Sequence, residues 1–221
     1  MNYSYYIHNT VLQSCKSGKY LGVTLSDNFK WSSHIALICK KANQQLGFVR
    51  RNTRFLPQSF KEAAYKSLIR PHLEYCCSVW DPHTVADTQN LERIQRQAAR
   101  YVMADYRRTS SVTSMISKLK WPSLSSRRTA SRLSMVYRIA NDLVAIPQTK
   151  FFTLSTTTTR KNHDKCFQTY RPRGNIDKFA FSQRTIPEWN KLPNQVVNAV
   201  SLDSFQNLLR NYLDSSPHSS S

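Results

Sequence analysis

Lysine and arginine side chains recur in this chain at spacings that would place several of them on one side of a helix. Arg93, Arg96 and Arg100 follow one another at i, i+3 and i+7, the spacing of neighbours on a helix face. Cations arranged in this way bind phosphate oxygens without reading a base sequence. We predict phosphate contacts from these three arginines and from further lysines and arginines, namely Lys40, Lys41, Arg50, Arg51, Arg54, Arg107, Arg108, Arg127 and Arg128.

The net charge of the chain favours this chemistry. The 221 residues include 32 Lys and Arg against 13 Asp and Glu, which gives a formal charge of +19 and a pI of about 10.0. A surplus of this size is typical of proteins that bind nucleic acid, so RNA and DNA are the expected partners. The alternative for any single cation is that it solvates the outer face of its helix. That alternative explains the whole set less well, because a solvated surface usually carries balancing carboxylates.

Carboxylates, cysteines and histidines do not group into a catalytic or metal site in the sequence. Phosphoryl transfer with two metal ions needs clustered carboxylates that hold the ions about 4 Å apart, and no two aspartates are paired here. His163 and Cys166 have the spacing of half a zinc site, but no second Cys or His pair lies nearby. Cys76 and Cys77 lie among apolar residues, which favours buried thiols over nucleophiles. We therefore predict no catalytic residue, no metal ligand and no cofactor.

The elements that position the cations are predicted to be mainly α-helical. Residues 3–12 and 20–25 are short β-rich runs with a turn predicted at Ser17-Gly18, and two strands alone would be more stable at the edge of a larger sheet. From Ser32 onward, apolar residues recur at helical spacing. Pro71 must end or kink the helix that precedes it. The chain thus resembles a helical bundle preceded by a hairpin.

Composition divides the chain into five segments. In order, they are a β-hairpin, a helical bundle, a loop or linker, a small α+β block and a disordered tail, over residues 1–30, 31–146, 147–169, 170–214 and 215–221. In the α+β block, Phe179 and Phe181 alternate with polar residues, which predicts a strand. Trp80 and Trp121 are predicted to lie in the core of the bundle, as most aromatic residues with helical spacing do.

Several separated motifs resemble, in their order, one known protein family. The motifs are Lys19-Tyr20-Leu21-Gly22-Val23 with Trp31 and His34, Arg70-Pro71-His72-Leu73-Glu74-Tyr75 with Val79-Trp80, Leu91 to Gln95, Trp121 and Leu124 with Arg127-Arg128, Arg184-Thr185-Ile186, Trp189-Asn190 and Leu192-Pro193. This series resembles the region after the catalytic palm in reverse transcriptases of LINE-type (non-LTR) retrotransposons, especially the jockey-like and chicken-repeat-like groups. The resemblance extends from about Tyr5 to Leu213.

The resemblance implies a fold and a partner. The strand matched by Lys19 to Val23 lies in that family near the junction of palm and thumb, where the primer end is held, so the resemblance implies nucleic-acid contacts from Tyr20 and Gly22. The hairpin would be the edge of the palm, and the helical bundle would be the thumb that grips a template-primer hybrid of RNA and DNA. The family's fingers and catalytic aspartate strand are not matched here. The resemblance therefore implies a fragment of an RNA-directed DNA polymerase that is inactive alone, with the N-terminal palm and fingers as a partner and Mg²⁺ needed only by the complete enzyme.

Two other functions remain open at this stage. The chain could be a stand-alone basic nucleic-acid-binding protein derived from a retroelement, or a non-functional relic of one. No segment approaches the roughly 20 apolar residues of a membrane span, and residues 1–20 lack the pattern of a signal peptide. We expect a nuclear or cytoplasmic protein that is neither secreted nor embedded in a membrane.

Overall fold

The computed structural model describes residues 5–155 and 163–215 and is mainly helical, as predicted. Two antiparallel β-hairpins come first, formed by strands β1 (Tyr6–Ile7), β2 (Thr10–Val11), β3 (Ser17–Tyr20) and β4 (Val23–Ser26). Helices follow, and in the first part of the chain they are α1 (Ser32–Asn52), α2 (Gln58–Ala64), a π-helical segment (Tyr65–Ile69), α3 (Arg70–Glu74), α4 (Cys77–Trp80), α5 (Val85–Met103) and α6 (Val112–Lys118). The remaining helices are α7 (Leu124–Ala140), α8 (Gln148–Phe151), α9 (Asn175–Lys178), α10 (Phe181–Trp189), α11 (Asn194–Val197) and α12 (Leu202–Ser215).

The N-terminal strands differ in detail from the prediction. Ser17 and Gly18, predicted to form a turn, lie within β3, and the turn is at Leu21-Gly22 instead. Both turn residues have positive φ, 45° for Leu21 and 85° for Gly22, which is the geometry of the tight turns that join twisted strands. Glycine suits the second position for another reason, because a Cβ there would lie 3.2 Å from Cε1 of Tyr75.

A first core forms where α1, α5 and the shorter helices between them meet. One face of α1 supplies a buried stripe at helical spacing, made of Ile35, Cys39, Ala42, Leu46 and Val49. Trp80 and Trp121 are both buried in this core, which confirms their predicted location. The side chain of Thr84 begins α5 by accepting a hydrogen bond from the Asp87 N–H (3.2 Å).

Helices α1 and α5 lie side by side and run in the same direction. Near their first turns, the Ser32 hydroxyl donates to Oδ2 of Asp87 (2.8 Å). Near their last turns, the hydroxyls of Thr53 and Tyr101 are hydrogen-bonded to each other. The carboxyl ends of the two longest helices of the first core therefore share one end of the molecule.

The chain stays helical across Pro71, and the hydrogen-bond pattern of the helix changes just before it. The chain passes from α2 into the π-helical segment, in which the Arg70 N–H donates to the carbonyl of Tyr65 five residues earlier. The wider turn of the π-helical segment accommodates a residue that lacks a backbone N–H donor, and the helix continues as α3. Leu73 of α3 lies in the first core.

A second core packs α10, α11 and α12 against the later part of α7. Its largest fully buried side chains include Trp189, Phe205 and Phe167, and Phe167 lies in the segment predicted to be a linker. Leu154 and Phe167 form a β-bridge, so the described part of that segment packs into the core rather than spanning a gap. The strand predicted at Phe179 and Phe181 is wrong, because Phe179 follows α9 and Phe181 begins α10. The alternation of apolar and polar residues at this point therefore marks the start of a helix and not a β-strand.

Two predictions fall partly outside the described residues. The Thr-rich part of the predicted linker and the tail beyond Ser215 are not covered by residues 5–155 and 163–215. Among the described helices, none is both long and apolar enough to cross a membrane.

Candidate nucleic-acid interface

The carboxyl ends of α1 and α5 carry a concentration of exposed cations. The guanidinium of Arg50 lies 5.3 Å from the centre of the Tyr106 ring, which joins the end of α1 to the loop after α5. Beyond α1, the guanidinium of Arg54 lies 5.6 Å from the ring centre of Phe55. We call this surface the basic end, and its residues are Arg50, Arg51, Arg54, Phe55, Tyr106, Arg107 and Arg108.

Carboxylates are almost absent from the basic end. Residues 50–61 and 100–111 contain seven Lys and Arg but one carboxylate, Asp105. Asp105 pairs with the Arg107 guanidinium (3.0 Å), and this contact with the Ser110 hydroxyl bond holds the pKa of the carboxyl well below its usual range. Arg51, Arg54 and Arg108 are exposed and form no salt bridge within the described residues. Their charges are available to an outside anion.

Some of these arginines also have a structural explanation. Arg50 and Arg51 lie in the last turn of α1, where a cation interacts favourably with the negative end of the helix dipole. Arg54 and Arg108 lie outside helices, so that explanation does not extend to them. The cluster therefore exceeds what is needed to stabilise the helix ends.

Four predicted cations lie farther along the same two helices. Lys40, Lys41, Arg93 and Arg96 are exposed and form no salt bridge in the part of the chain that the structure describes. Burial raises the pKa of the Cys39 thiol on α1 to about 11, and the positive charge of Arg93 opposes that shift. The charges of these four cations are therefore also available to an outside anion.

Arg100 has a different task from Arg93 and Arg96. Its guanidinium donates to the backbone carbonyls of Arg107 (3.0 Å), Ser110 (3.3 Å) and Asp105 (3.4 Å). These bonds hold the loop that presents Tyr106 and Arg108. The three arginines predicted to be equivalent on α5 therefore differ. Arg93 and Arg96 are exposed cations, whereas Arg100 holds the neighbouring loop.

Arg127 and Arg128 were predicted to contact phosphates, but both are paired with carboxylates. Both oxygens of Glu74 accept from Arg127, one of them from its Nη2 at 2.9 Å. The Arg128 side chain is 1 % exposed, and its Nε donates to Oδ1 of Asp81 (2.7 Å). Neither residue offers a free guanidinium at the surface, so we leave both out of the interface.

Arg128 belongs to a group of ions, buried at Asp81, Arg128 and Arg132, that the sequence did not indicate. Nε of Arg132 lies 3.1 Å from Oδ2 of Asp81, and Nη2 of Arg184 lies 3.0 Å from the same oxygen. Arg132 also pairs with Glu188 (2.9 Å). We call Asp81, Arg128, Arg132, Arg184 and Glu188 the Asp81 cluster. It joins the residue after α4 to α7 and α10, and so connects the two cores.

Tyr20 and Gly22 lie on the second hairpin, away from the first core's interior. The Tyr20 side chain is 68 % exposed and free to meet a ligand. Gly22 fits beneath the ring of Tyr75, whose hydroxyl donates to the carbonyl of Leu21 (3.1 Å). The hairpin is also anchored through His34, whose Nδ1 accepts from the N–H of Thr24 (3.2 Å).

Motifs that are far apart in sequence meet in space around Tyr75 and Trp80. The Trp80 indole N–H donates to the Tyr75 carbonyl (2.7 Å), and the His34 ring packs edge-on against Trp80. Gln95, on α5, accepts from the Tyr65 hydroxyl (3.1 Å) and donates to the Pro122 carbonyl (2.9 Å). These contacts therefore hold helices and hairpin together.

Sequence reasoning missed the two aromatic residues of the basic end, Phe55 and Tyr106. A usable signal was present, since each is adjacent in sequence to an arginine in a segment between predicted helices. Basic residues interleaved with aromatic ones in loops are typical of surfaces that bind unpaired nucleotides.

His163 and Cys166, predicted as half of a zinc site at most, lie beside each other. Sγ of Cys166 lies 3.8 Å from Nδ1 of His163, and Nε2 of His163 lies 3.1 Å from the Trp189 carbonyl oxygen. Across residues 5–155 and 163–215, no group of three or more His, Cys, Asp or Glu side chains could hold a metal ion.

No protein-family model, curated protein or solved structure matches this chain. Function must therefore be inferred from the geometry and charge of the chain's own surface. The feature of that surface with the clearest chemical meaning is the basic end, where several exposed arginines lack carboxylate partners among the described residues.

Proposed function

We propose that this chain binds the phosphates of a template-primer hybrid, as the thumb-side part of a retrotransposon reverse transcriptase. The observation that carries the proposal is the basic end. There, Arg50 and Arg51 in the last turn of α1, Arg54 just beyond α1 and Arg108 in the loop after α5 lack carboxylate partners within the described residues. Unpaired cations grouped at the ends of two adjacent helices suit contacts with backbone phosphates.

Exposed apolar side chains on the hairpins support a polymerase palm as partner. Tyr6, Ile7 and Val11 on the first hairpin and Leu21 and Leu25 on the second are more than two-fifths exposed. Short two-stranded hairpins with apolar faces are marginal in water and gain stability from pairing with a larger sheet. In this proposal the chain grips the nucleic acid, and the palm supplies the carboxylates for DNA synthesis.

A stand-alone nucleic-acid-binding protein is the second candidate function. Two cores with extensive burial support it, because a chain with its own cores can fold without a partner. The two candidates share the phosphate-binding surface and differ in the need for a palm. A relic without function would still bind nucleic acid through its net charge of +19, but that binding would not depend on the basic end.

The dependence of affinity on salt tests the shared part of the proposal. About six phosphate contacts to a hybrid predict a slope near −5 for log K against log salt concentration, measured by fluorescence anisotropy. Replacing Arg51, Arg54 and Arg108 together by Gln should make that slope less negative by about 2.5. At about 0.1 M salt this change corresponds to a loss of affinity of about 100-fold or more.

The matched control removes the same charge from elsewhere. Arg171, Lys191 and Arg210 are exposed and form no salt bridge among the described residues, and their joint replacement by Gln also lowers the net charge by three. The control should keep a slope close to that of the unaltered protein. Equal slopes for the two triple variants would show that binding follows net charge rather than the basic end.

A further inference from the structure

Two aromatic side chains at the basic end are exposed beside arginines. Phe55, in the turn after α1, is 94 % exposed, and Tyr106, in the loop after α5, is 53 % exposed. Single exposed apolar residues are common on protein surfaces. These two differ from such residues because each ring has an arginine guanidinium within 6 Å of its centre, Arg54 and Arg50 respectively.

Hydrogen bonds fix the conformation of the loop that carries Tyr106. Arg100 donates three hydrogen bonds to carbonyls of residues 105–110, and Asp105 accepts from the Arg107 N–H and from the Ser110 hydroxyl. On the other side, the turn that carries Phe55 is held by Thr53, which bonds to Tyr101 and to the Val49 carbonyl. Both aromatic rings are thus presented from supported turns at neighbouring positions.

Aromatic rings and phosphate-binding arginines together recognise unpaired nucleotides. Every base has a flat π-face that stacks on an aromatic ring, and the guanidiniums beside the ring contact the phosphates on either side. Bases within a duplex are already stacked on each other and cannot use such a ring. Phosphate binding alone needs only the arginines, so exposed rings add a contact that a continuous duplex does not engage.

We infer that the basic end binds unpaired nucleotides through Phe55 and Tyr106. It therefore prefers single strands or single-stranded overhangs to a blunt duplex, which offers no accessible base for stacking. This inference rests on the proposed function, since it uses the same arginines for phosphate binding. It adds the class of ligand, namely nucleic acid with accessible bases. Carboxylate repulsion does not oppose the contact, because Asp105 is neutralised by Arg107.

The test compares two ligands and replaces the aromatic rings. Affinities for a single-stranded oligothymidylate and for a blunt RNA–DNA hybrid of equal length are measured by fluorescence anisotropy over a range of salt concentrations. Replacing Phe55 and Tyr106 together by Ala should weaken binding of the single strand by about tenfold or more. Binding of the blunt hybrid should change by less than about threefold, and its salt slope should stay the same.

Two further variants separate stacking from other effects. Phe55→Leu keeps an apolar side chain but removes the ring, and should lose single-strand affinity as Phe55→Ala does. Phe151→Ala is the matched control, because Phe151 is 56 % exposed on α8 and lies over no arginine in the described structure. That variant should bind both ligands normally.

The outcomes distinguish this inference from the proposed function. Unchanged single-strand affinity in the double variant overturns the inference, and so does an equal loss of affinity for both ligands. In either case, a steep salt slope that depends on the arginines still supports the phosphate-binding proposal. Binding that shows no salt dependence with either ligand overturns both. Retention of affinity in Phe55→Leu contradicts a stacking contact in particular.

Discussion

The basic end and the Asp81 cluster use the same side chain in opposite surroundings. At the basic end, Arg51, Arg54 and Arg108 face solvent without carboxylate partners among the described residues. In the Asp81 cluster, Arg128 and Arg132 are almost fully buried and share one carboxylate. The comparison teaches that a row of arginines on a helix indicates a binding surface only where the surrounding elements leave it uncovered and unpaired.

Burial explains why the Asp81 cluster needs its carboxylates. A buried guanidinium without a partner is costly, because it gives up its hydration without compensation. Asp81 meets three arginines at once, and Arg184 also donates to its backbone carbonyl (2.6 Å). These contacts link residues up to 103 positions apart in sequence and so connect the two cores.

The largest effect is expected from breaking the Asp81 cluster. Asp81→Asn keeps the shape of the side chain but removes the charge that compensates Arg128, Arg132 and Arg184. We expect the free energy of unfolding to fall by about 3–5 kcal/mol, because the buried Arg128 then has no carboxylate partner among the described residues and Arg132 keeps only Glu188. Urea denaturation followed by circular dichroism measures this change.

Two controls sharpen the contrast with the exposed residues. Asp27→Asn removes an exposed carboxylate that forms no salt bridge in the described structure, and should change the free energy of unfolding by no more than about 0.5 kcal/mol. The triple Gln variant of Arg51, Arg54 and Arg108 should also unfold much like the unaltered protein. A loss for Asp81→Asn as small as that for Asp27→Asn would contradict the structural role of the cluster.

A smaller effect is expected from the buried histidine that anchors the hairpin. Burial, with a lesser contribution from Lys41, lowers the pKa of His34. Since the pKa is lower in the folded than in the unfolded chain, the unfolded chain takes up the proton first as pH falls below about 6.5. The free energy of unfolding should therefore decrease between about pH 7.5 and about pH 5.5.

His34→Asn tests that assignment, because the amide oxygen of Asn can still accept from Thr24 but does not titrate. The loss of stability over this pH range should be smaller than in the unaltered protein. His83→Asn serves for comparison, since burial and the nearby Arg184 also lower the pKa of the more exposed His83. An undiminished loss in His34→Asn would assign the pH dependence to other groups.

Periodicity and charge predicted much of the fold, but not which charges are exposed. The apolar spacing on α1 and the burial of Trp80 and Trp121 follow from local rules, and the structure confirms them. The turn at Leu21-Gly22 could not be found by local rules alone, because the need for glycine there comes partly from Tyr75, more than fifty residues away.

The sequence predicted only part of the candidate site, because local patterns do not show which charges remain exposed after the helices pack. Exposed cations on α1 and α5 follow from their positions opposite the apolar stripes. The pairing of Arg127 with Glu74 and of Arg128 with Asp81 depends on how helices pack, at separations of 53 and 47 residues. Nothing in the spacing of Arg127-Arg128 distinguishes it from Arg107-Arg108, although Arg108 has no carboxylate partner within the described residues.

Chemical labelling of arginines, with and without bound hybrid, tests the central claim most directly. Phenylglyoxal modification read out by mass spectrometry reports the accessibility of each guanidinium in the folded protein. We predict that Arg51, Arg54 and Arg108 react readily and become protected when the hybrid binds, while Arg128 and Arg132 stay unreactive in both conditions. Unprotected Arg51, Arg54 and Arg108 in the presence of bound hybrid, or reactive Arg128 and Arg132 in the folded protein, would contradict the division between a binding surface and a buried cluster.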